Sequence, residues 1–223
     1  MEQVRVLIVD DQPLVRQGLL AVLQDQNAIR IVGEASNGAD AVRLAARLMP
    51  DVVLMDLNMP GMGGLDATRQ LCATHPGMRV IVLTVYDEDD ALFEALRSGA
   101  SGFILKDAPT AKLVEAVREV AAGRALLSPQ ITAALIQEFV RRPAMSKSSA
   151  TQSVGLTQRE GNVLELLVQG LSNEEIAQRL VLGESTIKSH VQNLYRKIGV
   201  RDRSQVIIYA YENGLVRHHP LHG

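Results

Sequence analysis

The feature that most restricts how this chain can fold is an alternation of two periodicities across its first 126 residues. Val4-Arg5-Val6-Leu7-Ile8-Val9, Ile29–Ala35, Asp51-Val52-Val53-Leu54-Met55, Arg79–Thr84 and Gly102-Phe103-Ile104-Leu105 read as strands, each short and mostly apolar. Residues 13–25, 40–48, 64–74, 88–98 and 109–122 carry apolar positions at helical spacing. Strands without polar alternation are buried on both faces, and parallel strands need crossover helices to cover them. Five βα units therefore predict an α/β fold, a doubly wound five-stranded parallel sheet.

The pattern changes beyond residue 126. Ser128-Pro129 supplies a cap and a first position for a connecting helix over 128–142. The stretch from Pro143 to Ser153 is rich in Ser and poor in large apolar residues, and reads as a flexible linker. Residues 155–217 lack strand alternation and read as four short helices, an all-α domain. The expected organisation is a first domain over 1–126, a linker helix and flexible linker over 127–154, and a second domain over 155–217.

Charge follows the same division. Residues 1–126 hold 12 Lys/Arg against 17 Asp/Glu, whereas residues 127–223 hold 11 against 8. An acidic half before a basic half suggests different partners, the second an anionic polymer. Aromatics are only 3%, so the cores rest on Leu, Val, Ile, Ala and Met. Cys72 is the single cysteine and cannot form an internal disulfide, which fits a reducing cytosol. It reads as a small buried residue rather than a redox sensor. The opening apolar run is too short and wrongly flanked for a signal peptide, and no stretch approaches the ~18 apolar residues of a membrane span. The expectation is a cytoplasmic protein with no membrane partner. His218, His219 and His222 read as a frayed tail.

Ligand groups in open α/β sheets gather at the carboxyl ends of the strands. Here those ends carry Asp10 and Asp11, Asp56, Thr84 and Lys106. Three close carboxylates repel one another and call for a cation. All-oxygen ligands suit Mg²⁺. A carboxylate beside a divalent cation can attack a phosphoryl donor, with Thr84 bonding a phosphoryl oxygen and Lys106 pairing with the phosphate. Taken singly, each residue has a plainer reading: Asp10 or Asp11 as a helix cap, Asp56 in a turn, Thr84 in a strand, Lys106 in solvent. Pro60-Gly61-Met62-Gly63-Gly64 lacks the Gly-Lys-Ser/Thr ending of a P-loop and reads as a turn.

The basic end holds a second constellation. Leu171-Ser172-Asn173-Glu174-Glu175 opens a helix with a polar cap and an acidic first turn. Val181-Leu182-Gly183 makes a short turn, and residues 184–198 form an amphipathic helix with Ile187, Val191, Leu194 and Ile198 as its stripe. Two short helices on a tight turn make a helix-turn-helix, whose second helix can enter the major groove. Ser185, Thr186, Lys188, Ser189, Gln192 and Asn193 are its candidate DNA contacts. Lys188 suits guanine or a phosphate, and Gln192 or Asn193 suits adenine. Lys197, Arg201 and Arg203 are candidate phosphate contacts. The rival reading is a bundle whose polar face is merely solvated. Against it, residues 184–203 carry five Lys/Arg and only two acidic residues.

Several runs resemble receiver-domain motifs: Val9-Asp10-Asp11, Asp56-Leu57-Asn58-Met59-Pro60-Gly61, Leu83-Thr84 and Gly99-Ala100-Ser101-Gly102-Phe103-Ile104-Leu105-Lys106. Others resemble the LuxR-type DNA-binding domain: Leu156-Thr157-Gln158-Arg159-Glu160, Gly170 to Ala177, Ser185 to His190, and Lys197-Ile198-Gly199-Val200-Arg201. Together they identify a resemblance to the NarL/FixJ response regulators, with a flavodoxin-like receiver. The resemblance implies that Asp56 accepts a phosphoryl group from a sensor histidine kinase. It implies Mg²⁺ held by Asp11, Asp56 and the Asn58 carbonyl, with Asp10 assisting. It implies a switch at Thr84 and Phe103, in which the hydroxyl moves toward the phosphate and the ring turns inward. It further implies a homodimer on promoter DNA, aided by a last helix near 203–214, and no enzymatic role beyond the receiver's own phosphotransfer and dephosphorylation.

Two other functions compete. One is a phosphohydrolase with Asp56 as nucleophile; such enzymes typically carry an acid two residues later, where this chain has Asn58. The other is a regulator that binds DNA without phosphate, or acts mainly through protein contacts. Two residues depart from the family pattern: Gly183 at the start of the recognition helix, and Gly161 inside the first helix of the second domain. They predict losses of a few tenths and roughly 1 kcal/mol. Lys106 is followed by Asp107 where many receivers have Pro.

Overall fold

Neighbouring strands of the first domain pair in parallel throughout, in the order Ile29–Ala35, Val4–Val9, Val52–Asp56, Arg79–Thr84 and Gly102–Leu105. The computed structural model describes residues 3–84, 94–123 and 155–213. The strands are β1 (Val4–Val9), β2 (Ile29–Ala35), β3 (Val52–Asp56), β4 (Arg79–Thr84) and β5 (Gly102–Leu105). The intervening helices are α1 (Pro13–Gln24), α2 (Gly38–Leu48) and α3 (Gly64–Thr74), and α4 (Thr110–Ala121) follows β5. Of the helix expected over 88–98, residues 94–97 are helical and 88–93 lie outside the described residues. The connecting helix and linker expected over 128–153, and the three C-terminal histidines, also lie outside them.

Strand alternation sends successive side chains to opposite faces, so an uninterrupted apolar strand feeds two cores. Val6, Ile8, Val52, Leu54, Ile81 and Leu83 pack with Leu23 of α1 and Leu113, Val117 and Val120 of α4. The intervening Leu7, Val9, Val53, Met55, Val80 and Val82 are equally buried, and α2 and α3 pack against β1, β3 and β4. This is the doubly wound arrangement that the periodicity predicts.

The chain divides into two units, Met1–Leu127 and Ser128–Gly223. The second contains α5 (Gln158–Val168), α6 (Asn173–Leu180), α7 (Glu184–Ile198) and α8 (Arg203–Glu212). Its core joins Val163, Leu164 and Leu167 to Ile176, Ile187, Val191, Leu194, Val206 and Ala210. Both α5 and α6 begin in capping boxes, Thr157 with Glu160 and Ser172 with Glu175. Each box satisfies two backbone N–H donors that a helix start leaves open. Gly183 caps α7 without a side-chain bond, as its lack of a side chain dictates. No helix among the described residues is long and apolar enough to cross a membrane.

Candidate functional site

Strand register assembles the acidic site. Val9 lies opposite Met55 on β3, so Asp10 follows beside Asp56. Asp56 lies opposite Leu83, so Thr84 stands one residue further on. Thr84 in turn pairs with Leu105, and Lys106 comes next, its backbone N–H donating to the Thr84 carbonyl at 2.7 Å. Residues scattered over almost a hundred positions thus meet at one edge.

Oxygens of Asp10, Asp11 and Asp56 lie within 4.8 Å of one another. Asp10 is fully buried and Asp56 is 2% exposed. The Lys106 ammonium reaches in from β5, 2.6 Å from Asp10 Oδ2 and 3.1 Å from Asp56 Oδ2. Burial pushes the Asp56 carboxyl above its ordinary range, helped by Asp10; Lys106 and the Asn58 backbone N–H pull the other way. Burial disfavours the Lys106 charge, but its bonds to Asp10 and Asp56 prevail and raise its pKa. Asp11 Oδ1 is buried with no hydrogen-bond partner. Asp10 Oδ2 has its ion pair with Lys106 but no well-aligned hydrogen bond. A buried carboxylate oxygen without a donor is costly. The donor set is all oxygen and anionic, which is the chemistry of a hard divalent cation.

The helix-cap reading of the aspartates is only half met. Asp10 Oδ1 accepts the Gln12 N–H at 2.9 Å, yet the cap position of α1 belongs to Gln12. Arg16 fixes the same loop by donating to the Asp10 carbonyl at 2.8 Å. Asn58 is exposed beside the site, while Thr84 and Phe103 are buried. Lys106, solvated on the plainest reading, is mostly enclosed.

The segment 57–63 is a turn, and glycine is what holds it. A Cβ on Gly64 would stand 1.9 Å from the Asp56 carbonyl oxygen, and one on Gly38 would stand 2.5 Å from the Met62 carbonyl. The backbone of α3 therefore rests directly on the end of β3. This use of Gly64 escaped sequence reading, although the pair Gly63-Gly64 at a helix start signals close approach.

In the second domain the amphipathic α7 divides as expected. At about 100° per residue, Ser185, Lys188, Ser189, Gln192 and Arg196 share one arc, with Ile187, Val191, Leu194 and Ile198 on the far side. All five polar residues are exposed, whereas Ile187, Val191 and Leu194 are buried. Lys188 pairs with Glu184 at 2.9 Å, and Ser189 donates to the Ser185 carbonyl. Thr186 is exposed and Asn193 half-buried at the flank. Arg196 was not among the candidate contacts, yet its spacing from Ser185, Ser189 and Gln192 places it on their face.

Two of the expected phosphate contacts also make bonds inside the domain. Lys197 donates to Glu160 Oε2 at 2.7 Å and to the Gly155 carbonyl at 3.0 Å. Arg203 donates to the carbonyls of Leu167, at 3.0 Å, and Leu171. Lys197 keeps part of its surface in solvent, while Arg203 is half-buried. Arg201 is also partly buried, with its guanidinium 3.9 Å from Asp202. Cys72 is half-buried, its Sγ 3.4 Å from the Gly99 carbonyl.

Comparison with known proteins assigns each domain to a family. The response regulator receiver domain family matches residues 6–118. The family of bacterial regulatory proteins of the LuxR type matches residues 154–210. The chain is 38% identical to the transcriptional regulatory protein LiaR of Bacillus subtilis, covering 96% of this chain and 99% of that protein. It is 37% identical to the DNA-binding transcriptional activator DevR/DosR of Mycobacterium tuberculosis, over 94% of each. Among solved structures, the response regulator ChrA of a heme-sensing two-component system is similar, with 36% identity and a TM-score of 0.53. That match covers 97% of this chain and 100% of ChrA.

Proposed function

Because this chain belongs to the response regulators that join a receiver to a LuxR-type DNA-binding domain, a family of transcriptional regulators rather than metabolic enzymes, we propose that Asp56 phosphorylation governs its hold on promoter DNA. Domain limits of 1–126 and 155–217, joined through 127–154, accompany this reading. The observation that carries it is the clustering of Asp10, Asp11 and Asp56 oxygens within 4.8 Å, with the Lys106 ammonium 3.1 Å from Asp56.

The chemistry follows from those positions. Asp56 Oδ forms a bond to phosphorus as the phosphorus–nitrogen bond of a sensor kinase's phosphohistidine breaks, and the imidazole leaves with the electron pair. Asp11, Asp56 and the Asn58 carbonyl, with Asp10 beside them, would hold Mg²⁺, which screens the clash between carboxylate and phosphoryl oxygens. Lys106 then pairs with the phosphoryl group as a point charge, and Thr84 donates to one of its oxygens. Slow hydrolysis of the same acyl phosphate resets the receiver.

Movement of Thr84, together with Phe103 on the neighbouring strand β5, changes the surface that the receiver offers. Dimerisation on that change brings two DNA-binding domains to adjacent half-sites and raises affinity through effective concentration. Ser185, Thr186, Lys188, Ser189, Gln192 and Asn193, with Arg196, face the groove. Arg201 remains a candidate backbone contact. The protein works in the cytoplasm, where kinase and DNA are both present. The test is intact mass and DNA binding after acetyl phosphate and Mg²⁺, for wild type and Asp56→Ala. One added phosphoryl group on wild type alone, with tight DNA binding only in that sample, is expected. Equal DNA binding by both proteins without modification would replace this reading with a constitutive regulator.

A further inference from the structure

Lys197 sits near the end of the recognition helix α7, and although its side chain stays 35% exposed, its ammonium turns back onto the start of α5. Its ammonium bonds Glu160 Oε2 at 2.7 Å and the Gly155 carbonyl at 3.0 Å. Glu160 is 4% exposed, and the same Oε2 accepts the Thr157 backbone N–H at 2.7 Å and its hydroxyl at 2.8 Å. Gly155 has a positive φ of 62°, so the chain turns sharply there as it enters the domain. One ammonium therefore ties three things together: the entry of the chain, the first turn of α5, and the recognition helix.

At its other end α5 is gripped by Arg203, whose guanidinium bonds the carbonyls of Leu167 and Leu171. A cation suits the C-terminal end of a helix, where the backbone dipoles leave partial negative charge. Helix α5 is thus a brace, held at its start by a residue of α7 and at its end by a residue of α8.

We propose that Lys197 is a positioning residue, which with Glu160 clasps the recognition helix to the entry of the chain, and not a contact to DNA phosphate. The proposal rests on the DNA-binding reading above. The two roles differ in sign as well as size. A phosphate contact loses counterion release on neutralisation, so removing it lowers the salt slope of binding by about one unit. A clasp residue leaves that slope intact. Glu160 separates the roles further. If electrostatics alone mattered, neutralising Glu160 would strengthen binding to a polyanion; as part of the clasp, its loss weakens specific binding.

The experiment uses the full-length protein and three variants: Lys197→Gln, Glu160→Gln and the double substitution. Binding is measured against salt on a mixed-sequence duplex, and at fixed salt on a duplex that wild type has selected from a random library. Melting of the DNA-binding domain is followed in parallel. Expected are an unchanged salt slope on the mixed duplex, a loss of roughly tenfold or more on the selected duplex for each single variant, and no further loss in the double. Each single variant should melt lower, by roughly 5 °C or more, with the double far from additive. A salt slope reduced by about one in Lys197→Gln, with melting unchanged and Glu160→Gln binding more tightly, would overturn the proposal. If wild type itself shows no salt-dependent DNA binding, the DNA-binding reading fails, while additive melting shifts in the double variant would still sink the clasp.

Discussion

Replacing Gly64 with alanine tests whether the end of β3 is held by direct backbone contact. A Cβ at this position would lie 1.9 Å from the Asp56 carbonyl oxygen, 2.8 Å from its carbon and 2.9 Å from Leu57 Cα. All three neighbours are backbone, so no rotamer change relieves the clash. Reaching an ordinary contact requires a displacement of roughly 1.5 Å, taken either by α3 or by the strand end that carries the phosphoacceptor. Overpacking of this kind costs about 1–3 kcal/mol, which lowers the receiver's melting temperature by roughly 4–12 °C. A misplacement near 1 Å at a reacting group costs about a hundredfold in rate. The assay is the rate of phosphoryl uptake from acetyl phosphate with Mg²⁺, followed by intact mass, alongside thermal melting. Gly61→Ala is the comparison: Gly61 has a φ of 78° and nothing within 4 Å of an added Cβ. It bears only the local cost of a left-handed alanine, about 1–2 kcal/mol, and keeps Asp56 in place. Wild-type uptake and melting in Gly64→Ala would refute the argument.

Three further outcomes follow from the same structure. Gly161 lies inside α5 with open space around it, so Gly161→Ala should stabilise the second domain by about 0.8–1 kcal/mol, read from denaturant midpoints at constant slope; a loss would mean that the helix needs glycine there. Lys106→Met leaves Asp10 and Asp56 facing each other without their cation, at a cost of about 3–5 kcal/mol; melting should fall without Mg²⁺ and recover more on Mg²⁺ addition than wild type does, and a variant melting like wild type in EDTA counts against the ion pair. The Lys197 ammonium, with the Thr157 bonds, holds Glu160 down at about 2 against burial. Because the folded pKa lies below the ordinary 4.5, this stabilisation is complete above 4.5 and drains away as pH falls toward 2. Lys197→Gln should therefore raise the pH at which the second domain unfolds in acid, and an unchanged acid midpoint would show that the pair contributes nothing.

Local information carried most of the receiver. The continuous apolar strands demand burial on both faces, and the covered parallel sheet follows from that alone. The residues at the strand ends specify the acidic site, because a doubly wound sheet must gather its strand ends at one edge. The stripe of Ile187, Val191, Leu194 and Ile198 likewise oriented α7 through helical periodicity. What periodicity cannot convey is which distant groups meet. Lys197 and Glu160 are 37 residues apart, and only the packing of α7 on α5 brings the lysine ammonium onto the buried carboxylate. Arg203 is drawn inward in the same way, by the carbonyls of Leu167 and Leu171 at and just beyond the end of α5. Gly64 reads as one more turn glycine until the strand end is laid against it. Sequence thus determined the elements, their buried faces and the chemistry at the sheet edge, since each depends on residues a few positions apart. Tertiary structure decided which charges bond within the domain, since that depends on contacts formed only when the helices pack.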